Sequence, residues 1–244
     1  MLIEAVNNLF HVYLFVTCAD IFEKRKVIQI KKTVVIDTAY GDWNFGTLSP
    51  NFAKDRSINL EIALRVKAYL DTADELEVII PCNHDTVLCV DEETDFLKWL
   101  ETLEIIEEAK PSNFISIACN ENEDHAVHGP EIKYSTFDGR SRQLAHKIYA
   151  LLPAANGVKG NGVHGDNNIP LLEAVRYPAC LVKAGYISNE QEEKLLRQSE
   201  FQDRTAWAIA QGVAVYLGVH IRASEVLPVS AVEAKECPYC HRAM

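Results

Sequence analysis

Short apolar runs alternate along this chain with longer stretches in which apolar residues recur at helical spacing. Thr33-Val-Val-Ile-Asp37, Leu76-Glu-Val-Ile-Ile80 and Phe114-Ile-Ser-Ile-Ala118 read as buried strands, and Glu131 to Thr136 as a further one. Ala179 to Ala184 is apolar except for Lys183, as in a parallel strand covered on both faces. Gly185 is then expected to turn the chain, with Ser188 and Gln191 forming a capping box for the next helix. Leu60, Ile62, Ala63, Val66 and Leu70 predict a helix over 57–72. Phe96, Leu97, Leu100, Leu103 and Ile106 predict another over 91–110, closed by Pro111. Further helices are predicted over 141–152, ended by Pro153, and near 189–198 and 200–217, with a short apolar element at 171–175. Residues 38–55 and the acidic 120–129 read as loops, as does 157–168 with its four glycines.

This order predicts an α/β fold, a mainly parallel sheet flanked by helices on both faces, in a single domain over residues 32–218. Residues 1–31 form an N-terminal extension read as a packed helix, and 219–244 a short C-terminal tail. The apolar run Leu9 to Ala19 is eleven residues long, short of the ~20 that span a bilayer, so no membrane span is expected. Only Glu4 is charged before that run, where a secretory signal carries positive charge, which favours a cytoplasmic location over a degenerate export signal. Seven scattered cysteines suit buried free thiols in a reducing compartment better than a disulfide framework. A net charge of −11 without a Lys/Arg run argues against nucleic acid as a partner.

A lysine inside a buried strand needs compensation, because an unpaired ammonium is costly to bury. Pro178-Ala-Cys-Leu-Val-Lys-Ala-Gly-Tyr-Ile-Ser-Asn189 around it resembles the closing motif P-A-x-L-V-E-x-G-F-I-S-N of the zinc-dependent N-acetylmuramoyl-L-alanine amidases, α/β peptidoglycan hydrolases. Val34-Val-Ile-Asp37, Asn59-Leu-x-Ile-Ala63, Phe114-Ile-Ser-Ile117, Gly129-Pro-Glu131, Leu172 and Pro178 match other landmarks of that family in order, from about Lys32 to Gly218. The resemblance implies a zinc held by His, Glu and His, with the fourth position left to a water whose pKa the metal lowers, and a glutamate as base.

At those positions this chain has Tyr40, Asp55 and Ala118, and Lys183 where the base belongs. A phenol must lose a proton of pKa ~10 to bind zinc, a methyl group cannot bind it, and an ammonium cannot act as the base. No catalytic residue and no metal in the core are therefore expected. A relocated site around Asp37 and Asp55, drawing on Cys82, His84, Cys119, His125 or His128, is the weaker alternative. Lys183 is expected to stand in for the missing cation by pairing with Asp55 or Asp37 on a groove that Glu131 and Trp43 also line.

The function implied is an inactive amidase-like module that binds a protein partner or a peptidoglycan fragment; the alternative is a divergent active amidase with an unusual metal site. In the tail, Cys237, Cys240 and His241 have the spacing of an incomplete zinc site, which a ligand from another chain would complete and which would link an oligomer. A reduced tail without metal is the other reading.

Overall fold

The computed structural model describes residues 31–38, 52–81 and 92–223, with the side chains of 52–56, 92–99 and 101 left aside. The chain divides into Met1–Lys31 and Lys32–Met244. The first unit lies outside the described residues except for Lys31, as do 224–244 of the second.

Six strands form one sheet in the order β2-β1-β3-β6-β4-β5. They are β1 (Lys32–Thr38), β2 (Leu76–Ile79), β3 (Asn113–Asn120), β4 (Glu131–Tyr134), β5 (Gly162–Gly165) and β6 (Ala179–Tyr186). β1, β2, β3 and β6 are parallel, whereas β4 runs antiparallel to β6 and parallel to β5. The sheet is thus mixed, with a parallel majority.

Seven helices accompany it among the described residues: α1 (Phe52–Leu70), α2 (Glu92–Ala109), α3 (Gly139–Tyr149), α4 (Leu152–Asn156), α5 (Pro170–Ala174), α6 (Glu190–Leu196) and α7 (Ser199–Leu217). On one face Ile62 and Val66 of α1, Leu144 and Ile148 of α3, and Phe201 and Ile209 of α7 pack on Ile36, Ile115, Ile117 and Val182. On the other, Ile106 of α2 and Leu171 and Leu172 of α5 pack on Val35, Phe114, Ala118 and Leu181. Period-two alternation in β1, β3 and β6 distributes these residues between the two cores. The same alternation sends Cys119 to the first face and Ala118 to the second.

Several boundaries differ from the expectation. β6 runs straight through Gly185 to Tyr186, because the helix that follows is started by a different residue. Asn189, not Ser188, is the N-cap of α6, its side chain accepting from the amides of Gln191 and Glu192. The Ser188 hydroxyl instead accepts from the Asn122 amide. Pro153 opens α4 rather than ending a helix, since proline suits the first turn, where its missing N–H costs nothing. The apolar element at 171–175 is the short helix α5, again with proline in its first turn. β5 lies inside the glycine-rich segment read as a loop, where pairing with β4 supplies the order that four residues with two glycines lack alone. α1 begins at Phe52, inside the stretch read as loop. Beyond α7, Val219 joins the core, and Arg222 donates its amide to the Thr72 hydroxyl and its guanidinium to the Thr72 carbonyl.

Candidate functional site

Polar side chains gather where β1, β3 and β6 end and β4 begins, on the face that α2 and α5 cover. Pairing sets them in rows: Asp37 lies opposite Ser116, and Ala118 lies opposite Lys183, which in turn lies opposite Glu131. The register slips between Ala118 and Asn120, so that Asn120 pairs with Tyr186. Such a bulge re-aims a side chain at a strand end.

Lys183 is 1% exposed. Its Nζ donates to Asn120 Oδ1 at 3.0 Å, and that oxygen also accepts from the Glu121 amide. The Asn120 Nδ2 donates to Glu131 Oε2 at 3.2 Å, and the Tyr186 hydroxyl donates to the same oxygen at 3.0 Å. Asp37 has a different partner, accepting from the Ser116 hydroxyl at 3.1 Å. Burial pushes its carboxyl up from 3.8 to about 6, against the pull of the Ser116 hydroxyl and the Thr38 amide.

Asp37 is thus held by Ser116, while the described hydrogen bond of Lys183 goes to Asn120, whose amide reaches on to Glu131. The side chain of Asp55, the second expected partner, lies outside the described set, as do Tyr40, Trp43, Cys82, His84, Cys237, Cys240 and His241. Asp37, Ala118, Glu131 and Lys183 do come together at one edge of the sheet. Asn120 and Tyr186 were missed as site residues. Tyr186 stands in the closing motif and Asn120 at the start of the segment read as an acidic loop, and the register slip pairs the two.

His125 and His128 do not reach Asp37. They line a separate cavity of about 540 Å³ with Val158, Asn189, Glu190 and Glu192. Glu192, 2% exposed, is the anchor there: it accepts from the Gly129 amide at 2.8 and 2.9 Å and from the Tyr186 amide at 2.7 Å. Burial raises its pKa, opposed by those two amides and by nearby His128. Gly129 has φ +96°, and a Cβ there would sit 2.0 Å from the Lys159 carbonyl oxygen, so only glycine fits. Among the described residues no three His, Cys, Asp or Glu side chains converge at metal-binding spacing, and no helix is long and apolar enough to cross a membrane.

An open α/β sheet with its polar cluster at the carboxyl ends of parallel strands defines a domain whose site lies at that edge. The family model described as N-acetylmuramoyl-L-alanine amidase matches residues 34–215, and the chain belongs to that family. It is 28% identical over 189 residues to the N-acetylmuramoyl-L-alanine amidase LytC of Bacillus subtilis, covering 77% of this chain and 36% of LytC. The chain therefore spans about a third of that relative. Against a germination-specific N-acetylmuramoyl-L-alanine amidase of the same organism, identity is 24% over 194 residues, with 79% of that protein covered.

Among solved structures, the catalytic domain of the amidase CwlV from Bacillus (Paenibacillus) polymyxa is 29% identical with a TM-score of 0.66, over 78% of this chain and 99% of that one. The CwlD amidase of Clostridioides difficile, solved in complex with the GerS lipoprotein, is 28% identical with the same TM-score, over 78% and 100% of the two chains.

Proposed function

We propose that this chain is a catalytically inactive amidase-family domain that works as a binding module, for a protein partner or a peptidoglycan fragment. The observation that carries the reading is Lys183, a buried ammonium hydrogen-bonded to Asn120 at the position where the family resemblance puts a carboxylate base. The donor set among the described side chains does not fit the zinc that the family implies. Ala118 offers a methyl group and Lys183 a positive charge. Both remaining carboxylates are engaged, Asp37 by Ser116 and Glu131 by Asn120 and Tyr186. An ammonium at this position repels a dication and a methyl group cannot hold one, and no step of hydrolysis is assigned to a metal here.

A protein partner is favoured by the CwlD neighbour, whose structure is a complex with a lipoprotein. The tail residues Cys237, Cys240 and His241 are the proposed place for zinc shared with a second chain. The test is metal content and cleavage of N-acetylmuramoyl-L-alanine bonds in muropeptides, with full-length protein and with Cys237→Ser/Cys240→Ser. The double variant is expected to hold no zinc and to release no peptide, even with added Zn²⁺. Stoichiometric zinc in that variant with peptide release would establish the active amidase that its named relatives suggest.

A further inference from the structure

At the edge opposite the site, where β1, β3 and β6 begin and β4 ends, two helices carry charge of the sign their own ends disfavour. α3 starts there, and its first turn holds Arg140 and Arg142 with no acid. α2 ends there, and its last turn holds Glu107 and Glu108 with no base. Helices are stabilised by the reverse arrangement, acids at the start and bases at the end, so neither set of charges serves the helix that bears it. Lys110 follows α2 but leaves the group of Glu104, Glu107 and Glu108 net negative. We propose that this edge is the interface of a symmetric homodimer, in which Arg142 and Arg176 of one protomer face the partner's Glu104 and Glu108 and Phe137 is covered. It takes from the proposed function only that the partner is a protein, and makes that protein a second copy of this chain.

Three observations select a second copy. First, the basic and acidic groups adjoin. The Arg140 guanidinium donates to the Arg176 carbonyl at 3.3 Å, and the hydroxyl of the next residue, Tyr177, donates to the Glu107 carboxylate. The two groups thus stand on either side of one dipeptide. A two-fold rotation about it sets each group against its opposite, a closed isologous contact that a surface of one sign cannot make. Second, the charges are available. Arg142, Arg176, Glu104 and Glu108 are exposed, and among the described residues their side chains make no hydrogen bond or ion pair. Phe137, in the turn before α3, is 80% exposed, the most of any large apolar side chain described. One exposed apolar residue alone says little, but one beside arginines without partners has the composition of an interface centre.

Third, the chain beyond the domain leaves from this same edge. α7 ends there at Leu217, whose carbonyl accepts from the Lys32 ammonium at the start of β1. Arg222 is fastened to Thr72, in the turn before β2. The tail with Cys237, Cys240 and His241 therefore continues from the side on which the second copy sits, which suits a zinc shared between two chains.

The experiment measures mass in solution by sedimentation equilibrium, on the full chain carrying Cys237→Ser/Cys240→Ser so that no tail zinc contributes. At about 0.1 mM chain that protein is expected to be a dimer in about 0.05 M salt, and to bind itself at least tenfold more weakly in about 0.5 M, where screening shortens the reach of the charges. Added to that background, Arg142→Glu/Arg176→Glu and Glu104→Lys/Glu108→Lys are each expected to be monomeric, because each turns the edge to one sign. Mixed in equal amounts, the two variants are expected to form a heterodimer. A background protein that stays monomeric at low salt, or a pair of variants that does not associate on mixing, would overturn the dimer. If either reversed variant does not fold, Arg142→Gln/Arg176→Gln decides: loss of the dimer supports the interface, and retention overturns it. With the tail cysteines gone and peptide release not read, failure of the zinc link or of the inactive-module reading leaves these outcomes unchanged.

Discussion

Glu192→Ala is the sharpest stability test of how the site edge is built. The carboxylate accepts from two buried backbone amides, Gly129 and Tyr186, on two different elements, and nothing else in α6 reaches both. Truncation leaves two donors unpaired, at ~1–3 kcal/mol each when fully buried. Glu192 also lines the cavity beside His128, so water can reach the vacated space and the loss falls toward the lower half of that range. The expected cost is about 2–4 kcal/mol, which for a domain of this size lowers Tm by roughly 4–16 °C. Glu190→Ala is the control, since its carboxylate is exposed and pairs only with Lys194 one turn on. Thermal unfolding followed by circular dichroism at pH 7 measures both. If Glu192→Ala loses no more than Glu190→Ala, the carboxylate is not the clamp described here.

Two further changes act on other buried polar groups. Because burial lifts the Asp37 carboxyl from 3.8 to about 6, the folded state holds its proton longer than the unfolded chain does. Stability contributed by this group is therefore full below the unfolded value of 3.8 and lost as pH rises through about 6, so Asp37→Asn should be the more stable protein at pH 7, by about 3 kcal/mol, with little difference near pH 3. Urea midpoints across that range decide it, and a wild type more stable at pH 7 would refute the sign. Asn113 is fully buried at the start of β3, and neither atom of its carboxamide has a partner. Asn113→Val should raise the unfolding free energy by about 1–2 kcal/mol, which a lower urea midpoint would contradict.

The strands and long helices were legible in the sequence because a period of two or 3.6 with aliphatic residues at the inward positions leaves few other ways to bury them. Val34 and Ile36, or Ile62 and Val66, declare their element without help from the rest of the chain. β5 does not, since Gly-Val-His-Gly has no local preference for extended structure and takes its order from β4. The start of α6 was misplaced by one residue for a related reason. Ser188 and Asn189 are both competent caps, and the choice falls to Asn189 because Ser188 is engaged by Asn122 from another loop. Such competition is tertiary.

The same division runs through the site. That Lys183 was buried and in need of compensation could be argued from one strand, since every neighbour in Ala179–Tyr186 is apolar or small. Its partner could not. Asp37 or Asp55 was expected as partner because the family resemblance puts them on the groove that Lys183 faces, with Glu131 expected only as a lining residue. The reversal of β4 brings Glu131 into register with Lys183 from the other side, and the slip after Ala118 moves Asn120 between them. One antiparallel strand and one bulge thus gather Asn120 and Glu131 around the buried cation. A buried charge read from sequence establishes that compensation is required, and strand direction and register decide which polar groups stand beside it.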